Sequence, residues 1–458
     1  MWLVLNEMKD DLKLHLLSNK TYSVHIQGCR TNQYEGEAIA ALLEKEGCVH
    51  SQEMPDIAVV VSCTVTAAAD RKCRKLVRRL RRENPGSLII LCGCYAQRMS
   101  DDERRSLGVD VLVGNRMKHM IPEMASDWFG KKEAGTALSL FRDDIMTGGS
   151  WDELLLDRPR LHTRAFLKVQ DGCSHFCSYC IVPYVRGKPV SRDVDDAVEE
   201  AERIVRSGCP EIVLTGVHLG LHEDLPVLVR RIGSIEGLKR LRFGSIEPFA
   251  VDGRLLDAIA ETETFCRHLH LPLQSGDDGV LAAMKRGYTA EGFRRITDSI
   301  RERLGSDIHL STDLMVGFPG EDEKAFENSI GFVKEIGFGK MHVFNYSPRE
   351  GTAAALMQCP SEKDVRERMK TALCTAETLH RDYCSRWIGK EIEILVEEKK
   401  EGTVRGLTRN YIKAAAFSDK AETGEEFRFI PERYVNGVLV SGPVDDGCGE
   451  YSDFPEFL

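Results

Sequence analysis

This chain of 458 residues lacks any apolar run of the ~20 residues that a membrane-spanning helix needs. Its opening stretch, MWLVLNEMKDDLKLHLLSNK, is broken by Asp10, Asp11 and Lys13 and makes a poor secretory signal. Both observations lead to the expectation of a cytoplasmic protein with no membrane partner. Positive charge is also in short supply. With 62 Lys and Arg against 72 Asp and Glu the net charge is −10, which excludes a nucleic-acid binder that works by bulk charge. Binding of that kind must rest on local basic patches. The hydrophobic share of 42% is that of an ordinary globular protein, and the length implies more than one domain. Residues 1–20 match none of the patterns below, so Met1 and Met8 both stand as candidate starts.

Cysteine, by contrast, is plentiful. Fifteen in an intracellular chain argue against disulfides and for metal binding or catalysis at some of them. The stretch GCSHFCSYC sets Cys173, Cys177 and Cys180 in the spacing C-x3-C-x2-C. A fourth thiolate is missing, since the next cysteine is the isolated Cys209. A structural zinc wants four ligands, and His175 is the candidate to complete them, awkwardly for so tight a loop. A [4Fe–4S] cluster on three thiolates instead leaves one iron open to a small molecule. The spacing, with Tyr179 before the last cysteine, resembles the signature of radical S-adenosylmethionine (SAM) enzymes. That resemblance implies that SAM chelates the open iron through its amine and carboxylate. One electron then cleaves the sulfonium to a 5′-deoxyadenosyl radical, while the protein orients and shields.

RAFLKVQDG, residues 164–172, alternates like a strand and delivers the cysteines past its C-terminal end. Strand-like runs recur at 211–216, 238–245, 268–273, 307–320 and 340–347, with helical patterns at 193–207, 290–304 and 322–336. Six β/α units predict a parallel sheet, short of the eight of a closed TIM barrel and matching the partial barrel of radical SAM enzymes. By the same resemblance, Thr215 and Gly216, followed by Val217-His218, meet the methionine moiety. Ser245, Glu247 and Gln274 face the ribose and amino-acid ends. Asp313, within TDLMVGFPGE, lies near the nucleoside. No residue stands out as a general base.

Upstream, YSVHIQGC, DIAVVVSC and SLIILCGC each read as a strand ending in a cysteine: Cys29, Cys63 and Cys94. Helical segments follow the first two, at 35–46 and 67–83. In a parallel α/β sheet the strand ends share one edge, so three thiols distant in sequence converge. Cys92 competes with Cys94, which is the terminal one. Cys48, Cys73, Cys209, Cys266, Cys359, Cys374, Cys384 and Cys448 lack such context and are expected to be structural.

GCRTNQYE, VSCTVT, CGCYAQ and DGCSHFCSYCIVPYVRG together resemble the methylthiotransferases, from about residue 21 onward. The resemblance implies two [4Fe–4S] clusters, the second on Cys29, Cys63 and Cys94 and carrying the sulfur to be inserted. It implies an α/β chain in three parts: a Rossmann-like parallel domain (21–135), a partial (β/α)6 radical SAM barrel (159–386) and a small OB-like β-barrel, the TRAM domain (387–441). Ile392, Ile394 and Val396 alternate there as in short antiparallel strands, and GLTRNYI (406–412) carries the TRAM likeness.

Charge in that last part decides little, with nine basic and ten acidic residues in 387–441. The tail from 442 has five acids and no base and is expected to be disordered. RKCRKLVRRLRR (71–82) says more. Eight of its twelve residues are basic, no acids interleave, and Cys73, Leu76, Val77 and Leu80 form one apolar stripe, as in a docked helix with a phosphate-binding outer face. Within the family, VSCTVT, LTGVHLG and CIVPYVRG resemble the branch that 2-methylthiolates N6-threonylcarbamoyladenosine beside the tRNA anticodon. The partners implied are the anticodon stem-loop, an electron donor such as flavodoxin or ferredoxin, and a sulfur source. Alternatives are N6-isopentenyladenosine in tRNA, an aspartate of a small-subunit ribosomal protein, or a non-catalytic iron–sulfur or zinc RNA-binding protein.

Overall fold

The strands of the N-terminal part form one parallel sheet in the computed structural model, which describes residues 16–132, 139–142, 144–147, 149–160 and 163–442. Both candidate starts, Cys448 and the acidic tail from 443 lie outside the described residues. The strand order is Val49–His50, Thr21–Ile26, Ile57–Ser62, Leu88–Gly93, Val111–Val113, Ser139–Phe141. This is the doubly wound order in which the chain reverses between the first strand and its neighbour, leaving a crevice at their C-terminal ends. Ile57–Ser62 and Leu88–Gly93 are buried at every position, as parallel strands covered on both faces are.

Two boundaries differ from the sequence expectation. The first helix starts five residues early, spanning Arg30–Lys45 with Cys29 as its N-cap. Cys94 does not end a strand but opens a short helix, Cys94–Arg98. Gly93 is the cause. Its φ of +95° turns the chain out of the sheet, and a Cβ there would stand 2.6 Å from the Ser62 carbonyl oxygen.

The middle of the chain holds the six expected parallel strands: Arg164–Asp171, Glu211–Gly216, Arg240–Phe243, His268–His270, His309–Val316 and Lys340–Asn345. They run as two hydrogen-bonded groups joined at Leu241 and Phe265. Among the described residues the last strand does not pair with the first, so the barrel is open. A short antiparallel strand, Val190–Ser191, borders the first and was not expected. Leu167, Val169, Ile212, Leu214, Leu241 and Leu310 point outward into the core shared with the helices. The alternate positions face a lumen, and they carry Arg164, Lys168, Glu211, Arg242, His268, His270 and Asp313.

The C-terminal strands form a six-stranded sheet. It is antiparallel except where Ala414 pairs with Leu439, a parallel pairing not anticipated. Its core gathers Ile394, Val396, Val404, Ile412 and Leu439 with Trp387 and Tyr434. The GLTRNYI segment turns inward and closes the floor of the barrel. Arg242 donates to the carbonyls of Thr408 and Arg409 at 2.7 and 2.8 Å, and Arg240 to that of Leu407 at 2.7 Å. Tyr411 stacks on His268 with ring centroids 4.7 Å apart.

His309 joins this floor by donating from Nδ1 to the Asn410 carbonyl at 2.6 Å. Burial lowers its pKa from 6.5 to about 3. The neutral form is therefore the folded one. As pH falls below 6.5 the unfolded chain gains a proton that the folded chain refuses, and stability is lost down to about pH 3. Between pH 7 and pH 5 the expected loss from this group is ~2 kcal/mol. In His309→Asn, which still donates a hydrogen bond but does not titrate, urea midpoints should fall less over that interval.

Candidate active site

Cys173, Cys177 and Cys180 occupy the loop after Arg164–Asp171, on the C-terminal rim of the barrel. Backbone bonds fix the loop: Cys173 N–H donates to Gly187 O at 3.0 Å and Cys180 N–H to Cys177 O at 2.9 Å. Burial pushes the Cys173 thiol up to about 11 and the Cys180 thiol up to about 12, and each feels the charge of Cys177. The three thiols thus share one small region. Bound iron would reverse this penalty, because a metal-bound thiol is deprotonated. Arg286 Nη1 stands 3.6 Å from Cys177 Sγ and pairs with Glu247.

Zinc fits this set poorly. A tetrahedral zinc would draw its sulfur ligands to about 3.8 Å of one another. Among the described residues only His270, Asp313 and His342 bring three ligand atoms within 4.8 Å of each other. His175 turns to stack on His218 and Phe249, at 4.8 and 4.7 Å. The spread of the thiols suits a cluster better than a single ion.

The second triad forms at the crevice between Thr21–Ile26 and Ile57–Ser62. Gly28, at φ +119°, lets the two chains meet: a Cβ there would lie 2.6 Å from Cys63 Cβ. The Cys63 thiol is pushed up to about 12 by burial and then by the charges of Cys94 and Cys29, so all three thiols face one another. Cys92 instead lies wholly inside the sheet. Two donors reach Cys94 Sγ: Arg186 Nε at 3.1 Å and Asn115 Nδ2 at 3.8 Å. Arg186 spends its remaining donors on Glu35 Oε1 (2.6 Å), Asp171 Oδ2 (3.1 Å) and Asn32 Oδ1 (2.9 Å). Burial would raise the carboxyl pKa of Glu35, but Arg186, Lys118 and Lys168 together hold it well below the ordinary value. This buried charge cluster ties the N-terminal sheet to the barrel, and Cys94 packs there against Ile181 and Val185, just past Cys180. Sequence reasoning missed it, although Glu35 and Arg186 stand within GCRTNQYE and VPYVRG.

The expected SAM-facing residues line the same rim. Thr215 and Gly216 end the second barrel strand, and Gly216 abuts Gln170, whose Oε1 accepts from His218 N–H at 2.7 Å. Burial and the neighbouring His175 lower the His218 pKa to about 4, so it is neutral. Ser245 and Glu247 follow the third strand, Ser245 exposed and Glu247 held by Arg286. Gln274 adopts φ +70°, unusual for a residue with a side chain, and its buried Oε1 has no hydrogen-bond partner among the described residues. Asp313 sits in the lumen, 3.2 Å from His270 Nε2. Of the cysteines expected to be structural, Cys48, Cys73, Cys209, Cys266 and Cys384 are buried, but Cys359 and Cys374 are exposed and fill no core.

The basic helix spans Ala67–Glu83 and buries Cys73, Val77 and Leu80 as expected. The fold supplies acids that the stretch itself lacks: Arg74 pairs with Glu103 and Arg81 with Asp110, while Arg79 meets Glu83 at the end of its own helix. Among the described residues no carboxylate pairs with Arg71, Lys72, Lys75 or Arg78, which form the outward positive surface.

Residues 167–333 match the radical SAM superfamily, and residues 21–114 match the uncharacterized protein family UPF0004. The threonylcarbamoyladenosine tRNA methylthiotransferase MtaB of Bacillus subtilis (strain 168) is 34% identical over 86% of this chain and 89% of its own length. The chain belongs to the radical SAM methylthiotransferase family. As a member it is an enzyme that works with SAM and two [4Fe–4S] clusters. The tRNA-2-methylthio-N(6)-dimethylallyladenosine synthase of Zymomonas mobilis is also 34% identical, over 83% of this chain and 87% of its own. Among solved structures, the radical SAM methyltransferase TsrM of Kitasatospora setae superposes with a TM-score of 0.54 at 16% identity, covering 74% of this chain and 77% of that one. This last likeness concerns the fold. Among the described residues no helix is long and apolar enough to cross a membrane.

Proposed function

We propose that this enzyme installs a methylthio group at C2 of N6-threonylcarbamoyladenosine beside the tRNA anticodon. Cys173, Cys177 and Cys180 would hold the SAM-binding cluster, and Cys29, Cys63 and Cys94 the sulfur-bearing one. When bound, these groups supply the radical and sulfur chemistry that an unactivated C–H bond demands. The net change replaces that C–H by C–S–CH3.

The chain's own residues do the rest. Arg286 places a positive charge beside Cys177 and Glu247. Burial pushes the Cys94 thiol up, and Arg186 opposes that shift with an N–H donor aimed at the sulfur, beside which Asn115 places a second. The surface of Arg71, Lys72, Lys75 and Arg78 would meet phosphates, and the rim would admit one extruded base. Identity of 34% to relatives of both adenosine branches does not choose the base. The observation that supports threonylcarbamoyladenosine is the lumen, whose Arg, Lys, His, Glu and Asp side chains suit a charged, hydrogen-bonding substituent better than an isopentenyl chain. A cytoplasmic setting, a flavodoxin- or ferredoxin-like electron donor and an outside sulfur source belong to the same proposal.

The test is mass spectrometry of tRNA nucleosides from a strain lacking the gene, beside its parent. The expected result is loss of the 2-methylthio group from threonylcarbamoyladenosine alone. Loss from isopentenyladenosine instead would overturn the choice of base.

A further inference from the structure

Arg30 follows Cys29 directly, yet its side chain leaves the sulfur site and enters the barrel. Nη1 lies 3.5 Å from the position a Cβ would take at Gly244, beside the strand end that carries Thr215. Nη2 donates to the Tyr411 hydroxyl at 3.3 Å. A guanidinium has several N–H donors, and this is the single bond that Arg30 makes among the described residues. The lumen's acids are engaged elsewhere. Asp313 faces His270 at 3.2 Å, and Glu211 faces Arg242 at 3.0 Å and Arg164 at 3.6 Å.

Positive charge is therefore left over where the floor closes. Burial would raise the Tyr411 pKa, but Arg30, Arg164, Lys340 and Arg242 bring it down to about 8. Under the Tyr411 ring, the buried His268 has an Nδ1 with no hydrogen-bond partner among the described residues. An under-used guanidinium bonded to a hydroxyl, beside an imidazole nitrogen that is still open, offers the donors that a small anion needs.

We infer that Arg30 and Tyr411 form an anion subsite on the lumen floor that takes the carboxylate of the amino-acid substituent on the target adenine. The inference rests on the base proposed above. It also gives the C-terminal sheet a role inside the active site, because Tyr411 is one of its residues. Two other anions fit less well. The methionine carboxylate of SAM belongs at the other triad, where Arg286 stands beside Cys177. An RNA phosphate fits less well, because Arg242 and His309 bond to the carbonyls of residues 408–410 and close the floor behind Tyr411.

The test compares two anticodon stem-loops, one carrying threonylcarbamoyladenosine and one in which the threonine carboxylate is a carboxamide. Dissociation constants are measured with the cluster-loaded full chain, and SAM binding is measured by equilibrium dialysis. Wild-type enzyme should prefer the acid by about 10–100-fold, the worth of a charge-assisted pair. Arg30→Gln should erase that preference while leaving carboxamide and SAM binding unchanged. Arg30→Lys should keep part of it, and Tyr411→Phe should weaken it by about threefold to tenfold. Equal losses on acid and carboxamide, no loss at all, or lost SAM binding would each overturn the subsite. A wild-type enzyme that binds the threonylcarbamoyl loop no better than an unmodified loop would overturn the choice of base itself.

Discussion

Arg186→Met is expected to destabilise the union of the N-terminal sheet and the barrel by about 3–5 kcal/mol, the cost of removing one partner from a buried ion pair. The guanidinium is fully enclosed and directs its donors at Glu35, Asp171, Asn32 and Cys94. Methionine fills most of the volume but leaves two buried carboxylates short of charge. Lys168 still reaches Glu35 at 2.9 Å and Asp171 at 2.6 Å, and Lys118 reaches Glu35 at 3.2 Å. The loss is therefore expected toward the lower end of that range. Urea unfolding monitored by tryptophan fluorescence would measure it. Adding Glu35→Gln to the same variant should restore part of the stability, because it removes one unpaired charge. A double variant less stable than Arg186→Met would show that the joint depends on packing rather than on charge.

The largest functional effect is expected from separating the two triads. With Cys29, Cys63 and Cys94 all changed to Ala, the chain should still cleave SAM when reduced but should release no methylthiolated RNA. With Cys173, Cys177 and Cys180 changed to Ala, both activities should disappear. The asymmetry follows from the architecture. The loop at 173–180 is fixed by its own backbone bonds and by the barrel, whereas the other triad sits in the connections that follow three strands of a separate sheet. Chromatography of SAM products and of RNA nucleosides reads both activities in one sample. Methylthio transfer by the first variant, or SAM cleavage by the second, would contradict the assignment of roles.

Much of this site was legible in the sequence, for reasons the structure makes plain. A parallel sheet gathers its strand ends on one edge, so cysteines after three apolar runs announced their own convergence. The alternation in RAFLKVQDG likewise announced a strand that delivers Cys173, Cys177 and Cys180 past its C-terminal end. What stayed hidden depends on contacts between distant parts of the chain. Arg186 meets Glu35 across 151 positions, and Arg30 meets Tyr411 across 381. No local pattern encodes such pairs. The helix at Cys94 escaped because the φ of a single residue, Gly93, ends the strand. The charge on the basic helix was overstated because Glu103 and Asp110, its partners, come from later segments. The GLTRNYI segment read as part of a short-stranded β module but did not disclose its position, since nothing in those residues alone says that they close a barrel floor.

The central claim is that two separate cysteine triads each hold a cluster over one polar lumen. Iron content per chain, measured on reconstituted wild type and on the Cys29→Ala, Cys63→Ala, Cys94→Ala triple variant, tests it most directly. About eight irons are expected in the wild type and about four in the variant, one [4Fe–4S] set having been removed. Unchanged iron in the variant, or stoichiometric zinc in place of iron in the wild type, would contradict it.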